Sequence, residues 1–186
     1  MNLSNKTLYK TSSGRRRFFN LIFMLPLRKM LLKISQNHLA SGKKQIVFPA
    51  FDYISNEIAL EGVFEKRELD TFFNWLISLN VRMDNSVAID IGANIGNHSL
   101  YFSDYYQKVY SFEPSKTTFK ILSLNSELAT NIKCFNFGCS DKGGSAFLSL
   151  ASTNTGGKSV ISENEEGISE EIELRTLDQT LPDIDK

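Results

Sequence analysis

The chain is poor in the residues that build metal centres and covalent frameworks. Of its 186 residues, two are Cys and two are His. With no Cys/His cluster at ligand spacing, a zinc site is not expected and no metal is assigned. Cys134 and Cys139 lie five apart in what reads as one strand. That odd spacing sets them on opposite faces, roughly 16 Å apart, too far for a disulfide. Reduced cysteines suit a cytoplasmic protein.

Long apolar runs are lacking too. Phe18–Leu27 is the longest, and Asn20 and Pro26 interrupt it. A spanning helix needs ~20 apolar residues. Arg15, Arg16 and Arg17 before this run imitate a secretory leader, but Arg28 and Lys29 follow at once, with no small-residue cleavage pattern. Secretion is therefore not expected.

Acid is missing from the first 51 residues, which hold ten Lys/Arg, whereas residues 52–186 hold eleven Lys/Arg and all 21 Asp/Glu. The formal net charge of zero hides a basic head on an acidic body. Hydrophobic content of 41% and 14 Phe indicate a globular chain with a real core. We divide it into a basic amphipathic segment, residues 1–45, and a domain, residues 46–186. After Pro26, Leu27, Met30, Leu31 and Ile34 recur at helical spacing, and Lys29 and Lys33 share another face. Two readings stay open: a helix resting on anionic lipid at the inner face of a membrane, or a helix packed on the body with solvated charges. Nucleic acid is a weaker partner, since no aromatic-interleaved basic groove accompanies the charge.

Residues 45–64 read as short extended pieces with a turn at Gly62. Glu65–Leu79 reads as a helix with Leu69, Phe72, Phe73 and Leu76 as its buried stripe. A clear alternation follows: strand Ser86–Ile91, helix Ile95–Tyr106, strand Lys108–Phe112, helix Lys116–Leu128 and strand Ile132–Phe137. Two consecutive βαβ units predict a parallel sheet in an α/β fold. The stretches SAFLSL, KSVI and EEIELRTL are short and strand-like, and Ile172 and Leu174 alternate with charged residues as in a half-exposed hairpin.

Between the first strand and its helix stands Gly92-Ala93-Asn94-Ile95-Gly96. Glycines let a ligand approach the backbone, and free N–H groups of such a turn would supply donors. The spacing is G-x-x-x-G, not the G-x-G-x-x-G of dinucleotide sites, and Asp90 would repel a pyrophosphate. Glu113, 21 residues after Gly92 at the end of the second strand, is placed to accept both hydroxyls of a ribose. Two acids at adjacent strand tips suit a cationic nucleoside, and S-adenosylmethionine is one. The plainer alternatives are that Asp90 and Glu113 cap turns and that Gly92 and Gly96 serve strand–helix packing.

AIDIGANIGNHSLYFS followed by VYSFEP resembles the FkbM family of S-adenosylmethionine-dependent methyltransferases. YISNEIALEGVFEKREL, LSLNSEL with NIKCFNFGCSDKGG, and RTLDQTL resemble further stretches of that family, so the likeness covers about residues 50–182. It implies a Rossmann-like class I methyltransferase fold, here truncated after the third parallel strand and a β-hairpin insertion. It also implies that Asp90, Gly92 and Asn94 line the methionine end of the cofactor, that Gly96 belongs to the same cofactor-binding turn, that Glu113 takes the ribose hydroxyls, and that Ser140 and Asp141 lie near the adenine. Glu65 would close the pocket. The family methylates a hydroxyl on a sugar, glycan or secondary metabolite. No catalytic base is assigned; His98, the one imidazole near the turn, is a candidate whose commoner role is packing. The chain stops before the family's next strand, so we expect a fragment, a truncated product or half of a split protein, with Ser86–Ile91 left as a sheet edge. A non-catalytic nucleoside-binding remnant and a dehydrogenase are the competing readings.

Overall fold

The computed structural model describes residues 18–50, 52–149, 160–161 and 169–180. The chain divides into two units, residues 1–42 and 43–186. In the first, a π-helical turn, Asn20–Met24, leads into helix α1, Leu25–Ala40, with Pro26, which has no N–H to donate, directly after the π turn.

The second unit is a mixed α/β structure. Helix α2 spans Tyr53–Glu61, a stretch that periodicity reads as extended. Its ends explain it. Asp52 accepts the Ser55 N–H at its start, and Gly62 closes it in the left-handed conformation at φ 80°. Its buried Ile54 and Ile58 form a core with Ile95. Helix α3, Lys66–Ser78, buries Leu69 and Phe73. Phe72 corrects the expected stripe: it is 48% exposed, whereas its neighbour Phe73 packs into Tyr101, Phe102, Tyr105 and Tyr106.

Strand β1, Val87–Ile91, helix α4, Asn97–Phe102, strand β2, Lys108–Phe112, helix α5, Lys116–Ser126, and strand β3, Ile132–Phe135, give a parallel sheet in the order β1-β2-β3. Helix α4 is shorter than the expected Ile95–Tyr106. Gly96 starts it, and the Asn131 amide takes the carbonyls of Ser103 and Tyr106 beyond its end. The register pairs Asp90 with Ser111, and Ile91 with Phe112. Alternation thus puts Ala88, Asp90, Val109 and Ser111 on the buried, helix-covered face. Ile89 and Ile91 lie on the other face, 40% and 57% exposed. Among the described residues β1 pairs only with β2, so it is an edge.

The expected strand Ile132–Phe137 breaks at Asn136, whose amide donates to the carbonyls of Glu113 and Pro114. The chain then joins a second sheet: β4, Gly138–Cys139, β5, Gly144–Ser149, β6, Val160–Ile161, and β7, Ser169–Arg175, in the order β4-β7-β5-β6. Cys134 and Cys139 are therefore on separate strands of separate sheets, and both are free thiols. Ile172 is buried while Glu171, Glu173 and Arg175 are exposed, as the alternation predicts. Helix α6, Leu177–Thr180, follows. No helix among the described residues is long and apolar enough to cross a membrane.

Candidate functional site

The tips of β1 and β2 are bound together by the glycine turn. The N–H groups of Gly92 and Ala93 both donate to the Phe112 carbonyl at 2.9 Å, and the Asn94 N–H donates to Glu113 Oε2 at 3.0 Å. Three successive donors of the turn are thus engaged within the chain. This corrects the expectation that they stand ready for a ligand: the carboxyl end of β2 supplies their acceptors.

The two glycines differ. Both are left-handed, at φ 76° for Gly92 and 88° for Gly96. A Cβ on Gly92 would meet open space, whereas one on Gly96 would stand 2.8 Å from Leu122 Cδ1. Gly96 is required by close packing of α4 on α5, and Gly92 by backbone conformation alone. Asn94 is also left-handed, at φ 50°, a conformation that Asn tolerates better than most side chains.

Glu113 is 6% exposed. Its second oxygen, Oε1, accepts the Ser115 N–H at 2.9 Å. It therefore staples the turn after β1 to the turn after β2. Asp90, 8% exposed, faces the helices: its Oδ2 accepts the Ser99 hydroxyl at 2.6 Å, and Ser99 in turn accepts from Ser111 at 2.8 Å. Burial pushes the Asp90 carboxyl above its ordinary pKa, against the opposing pull of the Ser99 bond and the nearby His98.

The structure also brings Glu65 and His98 together. Glu65 precedes α3 in the left-handed conformation, at φ 55°. His98 Nε2 lies 3.2 Å from Glu65 Oε2, within ion-pair reach when the ring is protonated but without hydrogen-bond alignment. The imidazole stacks between Phe64 and Phe102, with centroids 6.4 and 6.1 Å away. The loop is locked there by Asn97, whose amide accepts from the Phe64 N–H at 2.9 Å and donates to its carbonyl at 3.1 Å.

Ser140 and Asp141 follow β4. The Ser140 N–H donates to the Arg175 carbonyl, and its hydroxyl donates to Asp141. With Cys139 and residues Thr176–Gln179 they line a cleft of about 570 Å³. The Thr176-Leu177-Asp178 element thus meets the segment after β3 in one place. Asn97, Ser99 and Ser111 escape a reading of the sequence alone, since isolated short polar side chains carry no spacing signal. Asn125 does too: fully buried, it accepts the Val47 N–H and donates to the carbonyls of Val47 and Ile95.

No family model and no curated protein matches the chain. Two solved structures are similar to about a third of it. One is the YcgJ protein of Bacillus subtilis, at 21% identity and TM-score 0.31, covering 35% of this chain and 29% of that one. The other is precorrin 8w decarboxylase of Methanobacterium thermoautotrophicum, at 18% identity and TM-score 0.29, covering 33% of this chain and 35% of that one. The chain thus spans about a third of the length of each, and likeness at this level carries no functional argument.

Proposed function

We propose that residues 46–186 form the cofactor-binding part of an S-adenosylmethionine-dependent methyltransferase of FkbM type, with a Rossmann-like class I arrangement, acting on a hydroxyl of a sugar, glycan or secondary metabolite. One observation carries the reading: Glu113, a nearly buried carboxylate, ties the tip of β2 to the glycine turn at the tip of the parallel neighbour β1. Asp90 adds a second acid near the end of β1. The residues fit a cationic nucleoside. Glu113 is an acceptor-only carboxylate at the tip of β2, the kind of group that takes ribose hydroxyls, and Gly92 borders open space.

When bound, S-adenosylmethionine supplies an electrophilic methyl group whose transfer to oxygen leaves a neutral thioether and releases the hydroxyl proton. The chain's part is alignment and exclusion of water. His98, packed against Phe64 and Phe102 with Glu65 Oε2 3.2 Å from its Nε2, is the base this chain offers for the proton. Ser140 and Asp141, in the cleft beside Asp178, are assigned to the adenine side.

Isothermal titration of the full chain with S-adenosylmethionine tests the reading. We expect saturable binding, competition by S-adenosylhomocysteine, and about tenfold or greater weakening in Glu113→Ala. Absence of binding to a protein that circular dichroism shows to be folded overturns it. Binding without methyl transfer to any hydroxyl acceptor supports a nucleoside-binding module instead. A fluorescence change of NADH on mixing would favour a dehydrogenase.

A further inference from the structure

We infer that the segment Asn20–Ala40 is a docking surface for an anionic lipid membrane. It is independent of the methyl-transfer reading. None of the residues in the π-helical turn or in α1 is buried. Large apolar side chains stand in water along its whole length: Leu21 is 63% exposed, Ile22 47%, Phe23 57%, Leu27 42%, Met30 52% and Leu31 40%. A solvated helix does not ordinarily carry so much apolar surface without a partner.

Charge selects that partner. Arg28, Lys29 and Lys33 are the charged residues of α1, and no acid occurs anywhere before Asp52. At 100° per residue, Leu27, Met30, Leu31 and Ile34 fall within one ~100° sector, while Lys29 and Lys33 lie away from it, Arg28 lies on its flank, and the exposed Leu25, Leu32 and Leu39 extend the apolar surface on the far side. An apolar stripe backed by bases fits the boundary between acyl chains and anionic headgroups, where long basic side chains snorkel to the phosphates. Arg28, Lys29 and Lys33 interrupt the apolar residues, and no helix among the described residues is both long and apolar enough to cross a membrane. The helix therefore lies on the surface. A nucleic acid would satisfy the bases and leave the apolar stripe in water.

Co-sedimentation of the full chain with phosphatidylcholine vesicles, with and without phosphatidylglycerol, tests this. We expect at least about tenfold stronger binding to the anionic vesicles, weakened by salt. Lys29→Glu with Lys33→Glu, and separately Leu27→Ala with Leu31→Ala, should each reduce it about tenfold. All four positions are exposed, and Ala preserves helix, so the fold is not at stake. Equal binding to neutral and anionic vesicles, or none to either, overturns the inference. So does a pattern in which the charge pair matters, the leucine pair does not, and duplex DNA is bound instead.

Discussion

The side chain of Glu113 accepts the backbone N–H of Asn94 at 3.0 Å, across 19 residues of sequence and between the tips of two parallel strands. The same carboxylate holds the Ser115 N–H, so one group fixes both turns that border the candidate site. Glu113→Gln presents an NH2 to one of these donors. We expect a loss of about 1–3 kcal/mol in unfolding free energy, read from the urea midpoint of the full chain. An unchanged midpoint would mean that neither turn depends on it.

Gly92 and Gly96 should separate cleanly. Gly92→Ala meets no atom and suffers only from its left-handed backbone, about 1–2 kcal/mol. Gly96→Ala adds the clash with Leu122, about 1–3 kcal/mol more. In double-mutant cycles with Leu122→Val, the Gly96 pair should show coupling of about 0.5–3 kcal/mol and the Gly92 pair almost none.

Asp90 is a buried acid near the end of β1. Its pKa is raised by burial, so the native state binds its proton more readily than the unfolded chain does. Stability then falls as pH rises from the ordinary carboxylate range through the raised native value, and stays lower above it. Asp90→Asn keeps an oxygen for the Ser99 hydroxyl. We expect it to equal or exceed the parent in stability at pH 7, with the gap closing in acid, and to bind S-adenosylmethionine about tenfold more weakly. A variant that unfolds more easily at every pH would make Asp90 a structural acid only.

The exposed edge of β1 invites self-association, because Val87–Ile91 carries no lysine or proline to blunt it. Ile91→Lys lies on the uncovered face, next to that edge. Static light scattering of the full chain should show less aggregate, with unchanged circular dichroism. Aggregation that ignores the substitution would place the adhesive surface elsewhere.

Much of the sheet was legible beforehand because each strand is short, apolar and closed by a turn signal. Val87–Ile91 and Lys108–Phe112 fell where the alternation put them. Helix α2 was missed because its signals are its ends: Asp52 and Gly62 act through backbone geometry, not through hydrophobic period. Phe72 was misplaced for a different cause. Period gives a stripe, but the neighbour decides its width: Phe73 meets Tyr101 and Tyr105 of another part of the chain, whereas Phe72 meets Phe73 and Trp75 of its own helix.

What the sequence determined alone was the alternation of strands and helices from Val87 to Phe135 and the chemistry offered at the strand tips: a glycine turn, Asp90 before it, Glu113 one strand later. Those follow from local rules, namely side-chain alternation and backbone freedom at glycine. Only the tertiary structure decided where the carboxylates look. Asp90 turns to Ser99, and Glu113 to the N–H groups of Asn94 and Ser115. Buried polar atoms must find partners, and which partners stand within 3 Å depends on how strands, turns and helices pack, not on spacing along the chain.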